Sequence, residues 1–203
     1  MDRTYERILM GIGKAKREDA HHLLQCLAVA IRPLHTEELV DVLAVDFDAG
    51  GPIPKFVTDW RPANPEDAIL FSCSSLVTIV NIGDSKAVQF SHFSTKEYLT
   101  SSRLAESRGD VSQYFISPEP AHTIFAQVCL SVLLWFGDHL DRDTTNKIPL
   151  AKYAAKHWVD HARFEGVASQ VQDGMKQLFD PKKPHHFTNW VRIYDMEIGR
   201  AHV

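Results

Sequence analysis

The chain has 203 residues, of which 44% are hydrophobic, 24% charged and 10% aromatic, a composition that supports a buried core and excludes the disordered, collagenous and coiled-coil classes. Its 22 lysines and arginines stand against 26 aspartates and glutamates, for a net charge of -4 and a pI near 6.2. A general binder of nucleic acid or of an anionic membrane would carry a basic surface, so both classes lose weight at once.

In chain order, Tyr5, Ile8, Leu9 and Ile12 recur at helical spacing and Gly11 with Gly13 ends the run, which predicts a first helix over about 2–12. Residues 19–31 are apolar nearly all round, so the second helix is buried on most sides before Pro33 stops it. Thr36 is the expected cap of a short third helix headed by Glu37 and Glu38. Residues 46–63 hold glycines and prolines without periodicity and read as a long surface loop. Asn64, Pro65, Glu66 and Asp67 then open a helix reaching about Ser74. LVTIV at 76–80 and AVQF at 87–90 flank Gly83 and Asp84 as a hairpin. Ser94 with Glu97 three residues on has the form of a capping box for a helix through Tyr98 and Leu99. The second half is helical throughout, over about 118–136, 150–164, 167–179 and an aromatic end at 185–194.

The order of helices followed by a hairpin and a further helix suits a winged-helix module. The expected fold is therefore mostly α, with a winged-helix domain over 1–103, a polar linker over 104–116, a helical domain over 117–195 and a tail over 196–203 set apart from the fold. The tail is set apart because EIGRAHV, Glu197 to Val203, resembles the translation of a common sequencing adaptor, which leads us to expect a fragment of a longer product. The N-terminus mixes both charge signs and shows no secretory pattern, and the apolar run from Ile124 to Phe136 falls short of the roughly 20 residues that a bilayer requires. Cys26, Cys73 and Cys129 each sit in an apolar run and read as reduced core thiols.

Motifs for catalysis are few. MGIGKAK lacks the spacing of a phosphate-cradling loop, and Ala15 stands where a magnesium-binding hydroxyl would follow Lys14. His157 and His161 have the four-residue spacing of two zinc ligands, but Trp158 occupies the place of the general base, so packed core histidines are the favoured reading. No hydrolase elbow occurs, and we expect no enzyme activity, no metal and no cofactor in this chain. A DNA-reading third helix would need arginine, lysine or asparagine, whereas Glu37, Glu38 and Asp41 would repel a phosphate backbone. An adaptor that docks a protein through Trp135, Trp158 and Trp190 is the main alternative, and a DNA-binding module is the lesser one.

The segment FSHFSTKEYL, Phe90 to Leu99, resembles the FxHxSxxEYL signature that closes the winged-helix domain of NACHT-type STAND proteins. DRTYERIL at 2–9, the run at 23–47 and YAAKHWVDHA at 153–162 add to a likeness with the fungal subfamily whose winged helix is named after GPI inositol-deacylase and which often carries ankyrin repeats. The resemblance implies a cytoplasmic signal-transduction switch. An upstream NACHT module would bind ATP or ADP, and this chain would fold over it as an intramolecular partner, with downstream repeats as sensor and a homo-oligomer as the assembled state. It implies no nucleic-acid and no membrane partner. It also implies that His92 contacts the bound diphosphate, with Phe90, Ser94, Glu97, Tyr98 and Leu99 as motif support. Met1 stands where relatives usually have leucine, a further reason to expect coding sequence upstream.

Overall fold

The computed structural model describes residues 2–107, 109–138 and 140–198. In chain order it holds α1 (Asp2–Gly11), α2 (Arg17–Val29), β1 (Leu34–His35), α3 (Thr36–Val40), β2 (Val45–Asp46), β3 (Lys55–Phe56) and α4 (Pro65–Cys73). The hairpin β4 (Val77–Ile82) and β5 (Ser85–Phe90) follows, then α5 (Phe93–Leu99), α6 (Ser102–Ala105), α7 (Pro118–Trp135), α8 (Arg142–Lys147), α9 (Leu150–Ala162), α10 (Val167–Gln170), α11 (Gln172–Leu178) and α12 (Pro184–Ile198). These group into two compact units, one drawn from 1–43 and 62–121 and the other from 44–61 and 122–203.

In the first unit α2, β1, α3, α4, β4 and β5 run in winged-helix order, and the sheet is antiparallel with order β1-β5-β4. Leu23, Leu24 and Cys26 of α2 are buried with Leu39, Ile69 and Val88, which is why α2 carries apolar residues on most of its surface. Asn64 caps α4 by accepting the Asp67 amide at 3.3 Å, and Gly83 supplies the φ of +59° that the two-residue turn demands. Arg32 forks onto Glu38 at 2.6 and 2.7 Å while the same carboxylate accepts the His35 amide at 2.9 Å, fixing the start of α3.

Two expectations change here. The reader position of a winged helix, directly ahead of the hairpin, falls to α4 and not to the short acidic third helix, because β1 lies ahead of α3 and joins the sheet beside β5, which makes α3 the middle helix of the module. The expected linker, 104–116, is not open: it takes in the end of α6 and a 3₁₀ turn at Asp110–Tyr114, with Leu104, Val111, Tyr114 and Ile116 buried and the Ile116 amide bonded to the Leu99 carbonyl at 2.9 Å. Its apolar residues follow no helical or strand period, which conceals them in the sequence.

In the second unit α7 contributes Phe125, Val128 and Leu133, and Phe136 just after it, to a core shared with Tyr153 and Trp158 of α9 and Ile193 of α12. The Trp190 indole donates to the Ala155 carbonyl at 2.8 Å, and the Asn189 amide donates to Gly137 O at 2.8 Å. Residues 44–61 belong to this unit and correct the surface-loop expectation. β2 pairs with β3, Phe56 is buried edge-on to Trp135 at 6.0 Å, and the buried Ser131 hydroxyl donates to Pro54 O at 2.7 Å. Gly174 lets this segment approach, since a Cβ there would meet Leu130 Cδ1 at 3.0 Å and Ile53 Cγ2 at 3.1 Å.

The helix α12 runs to Ile198, through Met196 and Glu197 that the sequence reading sets apart as tail, while the remainder of that tail, Gly199 to Val203, lies outside the described residues. Among the described residues no helix is long and apolar enough to cross a membrane.

Candidate functional site

The candidate site is the corner where β5 gives way to α5. Phe90 ends β5 opposite Val77, and the Ser91 amide extends the ladder to the Leu76 carbonyl at 3.0 Å. His92 is extended, with φ -149° and ψ 149°, and caps α5 by accepting the Ser94 amide on Nδ1 at 3.2 Å. The Ser94 hydroxyl lies 2.6 Å from the same nitrogen and 2.7 Å from the Tyr5 hydroxyl. Since Nδ1 accepts the amide, the neutral ring carries its hydrogen on Nε2. The hydroxyls then run in one direction, Tyr5 donating to Ser94 and Ser94 to His92.

The exposed imidazole is thus held by its neighbours on one nitrogen and can donate with the other. Phe93 lies 4.3 Å from its ring and is itself 70% exposed, so the corner presents a donor beside an apolar face. A phosphate oxygen is a strong acceptor for such a donor.

The other motif residues divide by burial. Tyr98 and Leu99 are core, Phe90 is half-buried and Glu97 is exposed. The Ser94 to Glu97 capping box does not form, because the helix starts two residues earlier and His92 supplies the cap. Tyr5 belongs to the site and the sequence reading missed it. Its ring stacks on Tyr98 at 5.1 Å, which leaves the hydroxyl at the edge of the core to reach Ser94. A tyrosine in an otherwise aliphatic stripe is the available signal, since a buried phenol needs a partner.

His157 and His161 do not converge on a shared site. His161 is buried, with Nδ1 2.9 Å from Nδ1 of His122 and Nε2 2.9 Å from the Tyr153 hydroxyl, while His157 Nδ1 meets Asp160 at 2.9 Å. Burial, with the nearby His122 and His157, pulls the His161 pKa down to about 3. Among the described residues no three His, Cys, Asp or Glu side chains come together to hold a metal ion. All three cysteines are buried and none is in a disulfide, and burial pushes the Cys73 thiol up to about 12, far from a reactive thiolate. On α4, the helix ahead of the wing, Glu66 and Asp67 lead a segment with no lysine or arginine, and Glu66 engages Lys86 of the wing at 2.6 Å.

Comparison with known proteins gives the family of the first unit. Residues 5–109 match the family described as the GPI inositol-deacylase winged helix domain. Over 205 residues the chain is 31% identical to azaphilone pigments biosynthesis cluster protein L of Monascus ruber, an alignment covering 97% of this chain and 42% of that protein. The chain therefore spans under half the length of this relative. No solved structure matches.

Proposed function

The chain belongs to the GPI inositol-deacylase winged helix domain family, and on that premise we propose that it is the non-catalytic regulatory arm of a NACHT-type STAND switch. In this reading a NACHT module elsewhere in the protein binds ATP or ADP, and the winged helix restrains it through apolar contacts and through His92. The carrying observation is the pre-set imidazole, with Nδ1 engaged at the α5 cap and the Tyr5 and Ser94 hydroxyls behind it. Such a donor is oriented before a phosphate arrives, which lowers the ordering cost of the contact. Engagement of a downstream sensor, of the ankyrin kind, would shift the arm and release the module as a population shift between closed and assembled states. The absence of lysine and arginine on α4 favours a protein over a nucleic-acid partner, and the place of action is the cytoplasm.

The experiment is to sequence the coding region on both sides of this reading frame and express the whole product. A phosphate loop upstream and repeats downstream support the switch, and purified product should then carry ADP. Stop codons close to both ends overturn it. They would favour a helical adaptor instead; Trp158 is buried and drops out of the expected tryptophan patch, and the reading draws on the aromatic edge of the second unit, where Phe179 and Phe187, 47% and 45% exposed, flank Trp190 at 5.8 and 5.7 Å.

A further inference from the structure

The first unit leaves one long sheet edge open. β5 pairs with β4 on one side, and among the described residues no strand pairs with β4 on the other. The turn fixes which backbone groups face outward. Ile82 opposes Ser85, Val80 opposes Ala87 and Thr78 opposes Gln89. Across a two-residue turn the flanking pair is hydrogen-bonded and alternate pairs follow suit, so Thr78, Val80 and Ile82 spend their amides and carbonyls on β5. The bond from the Ser91 amide to the Leu76 carbonyl continues that even-numbered series. The amides and carbonyls of Val77, Ile79 and Asn81 therefore point away from the sheet.

Natural edges are commonly blunted by short length, charge, proline or a bulge. The opposite edge of this sheet follows the rule, as β1 has two residues. β4 does not. It has six residues, VTIVNI, and the surrounding run from Ser74 to Gly83 contains no charged residue and no proline. The strand is accessible from Thr78 onward, the Val77 side chain being buried: Thr78, Ile79 and Val80 are half-buried, Asn81 is exposed and Ile82 is 48% exposed.

We propose that β4 is a self-association edge on which a second copy of this chain lays its own β4 antiparallel, about a two-fold axis at Ile79. The neutrality of the run selects this occupant. A charged edge recruits a partner of opposite sign, whereas a two-fold axis sets the run against itself, and any charge near the axis would meet its like. Here Ile79 faces Ile79 of the second copy and Val77 faces its Asn81, with no charge to separate. Exchange between these outward groups makes about six backbone hydrogen bonds and joins two three-stranded sheets into one. This inference stands apart from the nucleotide reading, because it uses no residue of the His92 corner.

Sedimentation velocity on the 203-residue chain should show a concentration-dependent monomer–dimer equilibrium. Ile79→Pro removes an outward amide and leaves the β4–β5 ladder intact, so it should weaken the dimer by about tenfold or more with an unchanged circular dichroism spectrum. Amide exchange on the unaltered chain reads the same edge without relying on a variant. The amides of Val77, Ile79 and Asn81 should exchange about tenfold more slowly as the dimer fills, while those of Thr78, Val80 and Ile82 are protected throughout. A chain that stays monomeric to about millimolar concentration, or a dimer in which those three amides exchange freely, overturns the proposal.

Discussion

His92 in the first unit and His161 in the second carry the same ring in opposite settings. His92 is exposed, gives one nitrogen to a helix cap and keeps the other for an incoming acceptor. His161 is fully buried and has both nitrogens committed, to His122 and to Tyr153. The first ring is available to a ligand and contributes modestly to folding. The second is unavailable to any ligand, yet removing it strands polar groups in an apolar core, and charging it opposes folding. Exposure and the pre-existing partners, more than residue type, separate a candidate contact from a structural brace.

The sharpest way to break that contrast is His161→Leu. Leucine fills a similar volume but removes the hydrogen bonds that His161 makes to the Tyr153 hydroxyl and to His122 Nδ1, so urea unfolding of the second unit should show a loss of about 2–5 kcal/mol. A loss under about 0.5 kcal/mol would remove the brace from the account.

Acid provides the next largest effect. A histidine whose folded pKa lies below its unfolded value contributes no penalty above the unfolded value near 6.5, and stability then falls as pH drops, because only the unfolded chain takes the proton. For His161 the window closes near pH 3, and within it the slope is about 1.4 kcal/mol for each pH unit. Burial lowers His122 and His186 in the same unit as well, against His21 in the first, so the second unit should lose more on acidification. Thermal unfolding from about pH 7.5 down to about pH 4 checks this, and His161→Leu should flatten the dependence.

A smaller change sharpens the first unit's side of the comparison. Ser74, between α4 and β4, holds φ +53° without being glycine. Ser74→Gly should relieve that strain and raise the unfolding free energy by about 1 kcal/mol, read as a shift in urea midpoint at constant slope.

Much of this architecture is legible in the sequence where a local rule acts alone. Asn64-Pro65 announces α4, Gly83-Asp84 announces the wing, and the apolar run of α7 is long enough to be read as a buried helix. The misreadings occur where tertiary contacts do the work. Phe56 and Pro54 are buried only because α7 presents Trp135 and Ser131 to a segment that otherwise looks like loop. Val111 and Tyr114 are buried through a 3₁₀ turn that leaves no period to detect. α8 leaves no apolar period to read, since Arg142 to Lys147 is polar and depends on the Asp141 cap, whose carboxylate accepts the Thr144 amide at 2.6 Å. At the candidate site His92 is visible in the motif, but its role as the cap is not, because serine is the commoner cap and Ser94 stands two residues on. The Tyr5 contact, 89 residues away in sequence, depends on the fold bringing α1 to α5.

The central claim is that His92 reports on a bound phosphate. ADP retention by the whole coding product, with His92 unaltered and as His92→Asp, tests it most directly. Aspartate can keep the cap by accepting the Ser94 amide but presents a negative charge to the phosphate, so the variant should unfold within about 2 °C of the parent and lose ADP about tenfold faster. Equal retention by two equally stable proteins would contradict the account.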